Sequence, residues 1–409
     1  MKNLFITGSL LGSIILCSST SLLASNRDNV IDTIAPVEKN KANTSYKPAF
    51  VGQTRIGGVK TKTPYESKVI AKDLKSPWGI AVLPDGRLLI SEKEGVLRIV
   101  NASGEISEAI TGLPKVDMRA QGGLLGLALD PQFATNRMVY WAFTEPTANG
   151  NHTAVAKGRL ARDEKKIENA TVIYRSTPTH KGGLHYGGRL VFDKSGNLLV
   201  TIGERSDMST RVLSQDLKST LGKIIRITKD GKPASNNPFS ANKNALPEIY
   251  SYGHRNPQGI AFNPVNGTLW SSEFGPRGGD ELNLIKAGKN YGWPIISYGI
   301  EYSGKKIGEP TLQAKNGMEQ PIYYWDPVLS PSGMTFYSGK GMSEWKNNLF
   351  IAGLSSVHIA RLVIKNNKVV GEERLLSKEA ERFRDVVEGK NGELYSITDA
   401  GKLYIIRKK

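Results

Sequence analysis

The stretch Pro77-Trp-Gly-Ile-Ala-Val-Leu-Pro-Asp-Gly-Arg-Leu-Leu-Ile90, followed by Gly95-Val-Leu-Arg-Ile-Val100, decides the fold. An apolar run enters the turn at Pro84-Asp85-Gly86, and a second apolar run leaves it. Asp-Gly supplies the positive φ angles that a tight hairpin needs. The pattern returns at 122–131 with 138–143, at 187–200, at 258–270, at 332–337 with 348–352, and at 383–387 with 392–397 and 401–406. Ser195-Gly196-Asn197, Asn266-Gly267 and Asn391-Gly392-Glu393 occupy equivalent turns. Strand meanders recurring at intervals of roughly 45 to 75 residues are the mark of a β-propeller. Six copies predict an all-β, six-bladed propeller over residues 65–409. The longer intervals leave room for loops gathered at one mouth, where a ligand site belongs.

Composition agrees with this reading. Glycine accounts for 43 of 409 residues, above the usual share of about 7%, and it is spread along the chain as turns require. Apolar residues make up 39% and charged residues 23%, which excludes disorder for most of the chain. The 55 Lys and Arg against 38 Asp and Glu leave a formal charge of +17. That excess invites a nucleic-acid reading, but there is no dense basic tract and no zinc-finger spacing to support one. An anionic ligand, an acidic partner or an anionic surface accounts for the charge as well.

The amino terminus predicts export. Lys2 precedes an apolar run from Leu4 to Leu16, and a small-residue stretch ends at Leu22-Leu-Ala24-Ser25. This is the layout of a secretory signal, read as residues 1–24, and the run is too short for a comfortable membrane span. A periplasmic or secreted protein follows, with no stable membrane span once the signal is removed. The single cysteine, Cys17, leaves with the signal, which rules out thiol catalysis, disulfides and thiolate metal sites in the mature chain. Residues 25–64 are polar and aperiodic and read as a flexible leader.

Four clusters carry chemistry. His185 stands where a loop enters the third repeat. It is either a hydrogen-bonding loop residue or a base facing a ligand, since a neutral imidazole is suited to abstracting a hydroxyl proton. Arg255 and Asn256, within Tyr252-Gly-His-Arg-Asn-Pro-Gln258, combine a cationic fork with a neutral donor and acceptor suited to a carboxylate or quinone oxygen. Ser272-Glu-Phe-Gly-Pro-Arg-Gly-Gly-Asp-Glu281 pairs an irregular backbone with Asp280 and Glu281, hard oxygen donors of the kind calcium takes. Arg382 and Arg384 alternate along a strand start and so share one face. They repel each other unless an anion lies between them.

These residues, together with Gln121-Gly-Gly-Leu-Leu-Gly and Asn290-Tyr-Gly-Trp-Pro, stand in the order found in a known family. The chain resembles the soluble quinoprotein glucose dehydrogenases and, more closely, their PQQ-dependent aldose sugar dehydrogenase branch, over roughly residues 65–407. The resemblance implies a six-bladed propeller, PQQ and calcium as cofactors, an aldose sugar as substrate and an external electron acceptor that the sequence does not identify. It implies His185 as general base. Gln121, Arg255, Asn256, Tyr302, the Gly353-Leu354-Ser355 turn and the Arg382-Phe383-Arg384 run are implied as cofactor contacts. Gly275 and Pro276 are implied as carbonyl ligands of one calcium, and Glu281 with Tyr291 as a second calcium position. Three positions depart from the glucose dehydrogenase pattern. Ser355 replaces a lysine, Leu184 an acidic residue and Glu204 an aspartate.

The resulting expectation is oxidation of the anomeric hydroxyl of an aldose to a lactone. Two other readings stand beside it. One is a non-catalytic propeller that binds sugar or protein, since a fold does not dictate function. The other is a calcium-dependent lactonase, which needs carboxylate and Asn ligands clustered in the central channel.

Overall fold

Each repeat folds as an antiparallel meander, and the six meanders form the six blades of a propeller in a computed structural model that describes Met1 and residues 33–409. The signal segment, Cys17 and the first part of the leader fall on residues 2–32, outside the described residues. The first blade has three strands, Pro77–Val82, Leu88–Glu92 and Val96–Val100, and the other five have four. In the last blade the outermost strand is Tyr65–Ala71, which pairs antiparallel with the carboxy-terminal strand Leu403–Lys408. One sheet thus holds both ends of the propeller and closes the ring.

The second strand of most blades explains why the repeats read as unbroken apolar runs. Leu88–Glu92, Leu198–Ile202, Leu269–Glu273, Leu349–Gly353 and Leu394–Thr398 are buried at every residue. Each lies between neighbouring blades, so both of its faces are covered and alternation disappears. The core is accordingly divided into six apolar clusters, one at each seam. Leu89 meets Trp141 at the first, Tyr140 meets Val200 at the second, and Leu199 meets Leu269 at the third. Trp270 joins Ile351, Phe350 joins Val386, and Ile397 joins Ile90 at the remaining three.

Inner strands crowd the axis, and glycine is required where they touch. A Cβ on Gly126 would collide with the carbonyl of Gly188, and one on Gly333 with the Asp385 carboxylate. At the axis, Arg189 Nη1 donates to Asp385 Oδ2 at 2.6 Å, and both side chains are buried. The same carboxyl oxygen accepts from Ile80 N at 3.0 Å, while Arg189 Nε donates to the carbonyl of Gln258 at 2.9 Å. Four blades therefore meet on one ion pair.

The leader differs from expectation over its described part. Residues 33–64 form a strap over the fourth and fifth blades. Asn43 and Thr44 each donate a backbone and a side-chain hydrogen bond to the carboxylate of Asp326, at 2.8–3.0 Å. Gln53 is fully buried, with Nε2 donating to Pro321 O and Oε1 accepting from Tyr298 Oη. Thr61 donates twice to Glu373, and the amides of Lys62 and Thr63 donate to Glu344. The Asn, Thr and Lys content that suggests solvation is used instead to satisfy carboxylates on the blades.

Asp326→Ala strands four donors of the strap. Hydrogen bonds to a charged group contribute about 1.5–3 kcal/mol each and do not add fully. A loss of roughly 2–4 kcal/mol in urea unfolding is expected, with faster tryptic cleavage at Lys41. Unchanged cleavage and stability would show that the strap is not bound through Asp326.

Candidate functional site

The inner strands deliver the site from their starts. Arg382 and Arg384 flank the beginning of Phe383–Glu388, three and one residues before the axial Asp385. His185 lies four residues before the axial Arg189, in a loop that enters the third blade. Both segments are therefore indexed to the ion pair at the centre.

A cavity of about 260 Å³ opens here, and Gln121, Leu354, Arg382 and Arg384 line it as expected. The anion between the two arginines is supplied by the chain itself. Arg382 Nε donates to Asp399 Oδ2 at 2.9 Å, and Arg384 donates from Nε and Nη2 at 2.8 and 3.1 Å. Burial works to raise the Asp399 carboxyl, and the two arginines overcome it and hold the group below its usual range. Arg382 spends only Nε on Asp399, so its two terminal amino groups remain for a ligand. Trp78, Lys93, Gln258, Phe274 and Asp399 also line the cavity and were not singled out by sequence. Gln258 lies within the Tyr252–Gln258 motif, so its position in the sequence signals it. Trp78 and Asp399 look like ordinary strand and hairpin residues.

Other expected contacts are placed differently. Phe383 is fully buried and packs edge-on against Tyr404 at 5.6 Å, inside the seam between the fifth and sixth blades. Its alternation with the two arginines sends its side chain away from the cavity. Tyr302 stands 72% exposed on a loop and does not line the cavity. Gly353 ends a buried strand, Leu354 lines the cavity wall, and Ser355 turns outward to solvent.

His185 is buried, with its backbone in the left-handed region at φ 48°. Its amide donates to Gln121 Oε1 at 2.9 Å, which ties it to a residue of the cavity wall. Its Nδ1 lies 2.7 Å from Glu204 Oε1. A carboxylate there assigns the ring proton to Nδ1 and leaves a lone pair on Nε2. Burial, and then the Arg255 guanidinium, push the imidazole pKa down to about 4 against the opposing pull of Glu204. The ring is therefore neutral near pH 7. Asn256 holds this loop, because its Oδ1 accepts from Gly187 N at 3.0 Å.

Arg255 and Asn256 do not line the cavity; Arg255 instead lines an acidic recess with Glu273, Gly275, Pro276, Glu281 and Trp293, and Phe274 is shared by the recess and the cavity. Arg255 Nη1 donates to the Gly275 carbonyl at 2.6 Å, while its buried Nε has no partner. Asp280 is committed to the backbone, accepting from Gly275 N and Ser330 N at 2.7 and 2.6 Å, so it shapes the loop. Burial, and then the neighbouring Glu273 carboxylate, push Glu281 well above the usual carboxylate range. Asn283 donates to both glutamates, and its buried Oδ1 has no partner. The recess thus carries an excess of hard oxygen acceptors around a gap of about 10 Å³, room for one ion-sized particle. Among the described residues no three Asp, Glu, His or Cys side chains converge, so a cation there depends on amide and carbonyl oxygens as well. The Tyr291 hydroxyl donates to Leu284 O and accepts from Lys286 N, which leaves only its main-chain carbonyl as a ligand.

The sequence profile described as Glucose / Sorbosone dehydrogenase matches residues 74–407, and the chain belongs to that family. It is 40% identical to the aldose sugar dehydrogenase YliI of Escherichia coli over 334 residues, covering 81% of this chain and 89% of that one. The apo crystal structure of the soluble aldose sugar dehydrogenase from E. coli superposes with a TM-score of 0.81 at 39% identity, over 85% of this chain and all of that one. The PQQ-bound aldose sugar dehydrogenase of Streptomyces coelicolor gives 0.69 at 31% identity, over 85% and 99%.

Nitrogen NMR of His185 is expected to show the neutral Nδ1–H tautomer from pH 6 to 8 and a midpoint near 4. Replacing Glu204 by Gln removes the charge that favours protonation, so the midpoint moves lower still. A midpoint near the ordinary 6.5 would overturn the burial argument.

Proposed function

We propose that this protein oxidises the anomeric hydroxyl of aldose sugars to the lactone, with PQQ in the cationic cavity and calcium in the acidic recess. One observation carries the reading: His185 is buried, neutral and oriented by Glu204, and it is tied through Gln121 to a cavity built for an anion.

The residues present fit both groups. The cavity offers the free amino groups of Arg382, the Arg384 fork and the carboxamide of Gln121 to a flat polyanion, between the ring walls of Trp78 and Phe274. The recess offers the carboxylates of Glu273 and Glu281 and the backbone at Gly275 and Pro276 to a hard cation, and Arg255 Nη1 would have to release the Gly275 carbonyl for that oxygen to serve. When bound, PQQ supplies the two-electron acceptor for the hydride from C1, and calcium supplies Lewis acidity at a quinone oxygen.

The protein moves the proton. His185 Nε2 takes it from the anomeric hydroxyl, and the resulting imidazolium is stabilised by Glu204, which keeps the other ring proton on Nδ1. Glu204 is itself held by Ser206 N at 3.0 Å, so the imidazole does not rotate freely. Leu184, beside the base and 39% exposed, presents an apolar surface toward the substrate side.

The lactonase reading loses ground on geometry. It calls for carboxylate ligands clustered in the central channel, and among the described residues no three Asp, Glu, His or Cys side chains converge. Export to the periplasm or beyond remains part of this proposal and rests on the amino-terminal pattern. No helix among the described residues is long and apolar enough to cross a membrane.

Dye-linked oxidation of an aldose panel is expected only when PQQ and calcium are both supplied, and chelation is expected to abolish it reversibly. His185→Ala is expected to lower kcat by about 10²–10⁴-fold while PQQ still binds. Protonating Nε2 removes the base, so kcat/KM is expected to fall about tenfold per pH unit below roughly pH 4 and to be level above it. Full activity in His185→Ala would exclude it as the base.

A further inference from the structure

The charge inventory of the cavity does not close. Three cations line it, Lys93, Arg382 and Arg384, against one carboxylate, Asp399. Both arginines close on Asp399. Lys93 closes no ion pair among the described residues; its ammonium donates to the carbonyl of Ala120 at 2.9 Å. A half-buried ammonium beside a guanidinium is held in an unfavourable place, since burial and the charge of Arg384 both work against its proton. Nothing in the fold needs it there. Its one side-chain bond could be made by any neutral donor.

Its backbone, in contrast, is tightly held. Lys93 N donates to Ser76 O, and Lys93 O accepts from Leu124 N at 3.0 Å. Gly123 passes so close to that carbonyl that a Cβ would collide with it. The ammonium is therefore presented from the turn after the second strand of the first blade, whereas the two arginines come from the last blade. Two blades deliver positive charge to a single cavity with flat aromatic walls. A ligand that uses both must carry at least two separated anionic groups on a planar frame. The neighbouring wall at Leu354-Ser355 brings no charge of its own.

We propose that Lys93 is a third anchor for the cofactor: its ammonium exchanges the Ala120 carbonyl for a carboxylate other than the one held by Arg382 and Arg384. The inference deepens the quinone reading and rests on it. Asp399 then presets the two arginine forks, and Lys93 sets the orientation of the planar acid by fixing a second point.

The test is binding of PQQ to the cofactor-free protein in the presence of calcium, followed by calorimetry and by quenching of tryptophan fluorescence. Lys93→Gln is expected to weaken PQQ binding about tenfold or more. It is also expected to flatten the loss of affinity on going from low to high salt, because one screened charge is gone. Lys93→Arg, which keeps the charge, is expected to bind PQQ within about threefold of the parent. Without PQQ, Lys93→Gln should unfold at the parent's temperature or above it, since the charge it removes is disfavoured by burial and by Arg384. Equal affinity and equal salt dependence in Lys93→Gln would overturn the anchor role while leaving the quinone reading intact. A parent protein that binds no PQQ with calcium would overturn the quinone reading and the anchor role with it.

Discussion

The buried pair of Arg189 and Asp385 sits on the propeller axis, and the rest of the structure is arranged around it. Burial disfavours both charges, and the pair is held by the contacts its neighbours make, although the buried Nη2 of Arg189 has no partner. Ile80 N and Val386 N donate to the carboxylate, Gln258 O accepts from the guanidinium, and the Trp78 ring lies 4.3 Å from the guanidinium carbon. Breaking such a pair by removing one partner costs about 3–5 kcal/mol, because the remaining charge is left uncompensated. A well-packed apolar replacement could be as stable. What the pair supplies is a fixed origin, from which the inner strands and the loops before them are measured.

Function follows from that origin. The two segments that carry the axial charges also carry the site: Arg384 adjoins Asp385, and His185 precedes Arg189 by one short turn. Several inner strands carry a register shift near their starts, as between Pro77 and Gly79, Pro257 and Gly259, and Phe383 and Asp385. A bulge re-aims the chain where it leaves the sheet. The seams between blades, filled by large apolar side chains, keep these starts from sliding relative to one another.

Two sites of opposite sign lie side by side. The cavity is cationic and the recess is acidic, and Arg255 lines the recess with one amino group on the Gly275 carbonyl. Phe274 forms part of both walls. This division suits a cofactor that is anionic at its rim and is met by a metal ion at another edge. It also lowers the basicity of His185, because Arg255 adds a positive charge to the effect of burial.

Local sequence determined the repeat, the hairpin turns and hence the fold, because strand period and positive-φ turns are properties of a few neighbouring residues. Gly86 and Gly392, both with φ above 80°, are legible as turns without any tertiary context. The motif order likewise marked His185, Gln121, Arg255 and the two arginines. What remained hidden depends on partners far apart in the chain. Asn43 and Thr44 look like solvated leader residues until Asp326, some 280 residues on, accepts their hydrogen bonds. Phe383 shares a run with two site arginines and is turned into a seam by strand alternation. Asp399 and Lys93 enter the cavity from different blades, and no spacing along the chain links them. Sequence by itself determined which chemistry the chain contains. Only the tertiary structure decided which charges meet, because closing a ring brings together strand ends that are more than 300 residues apart in the chain.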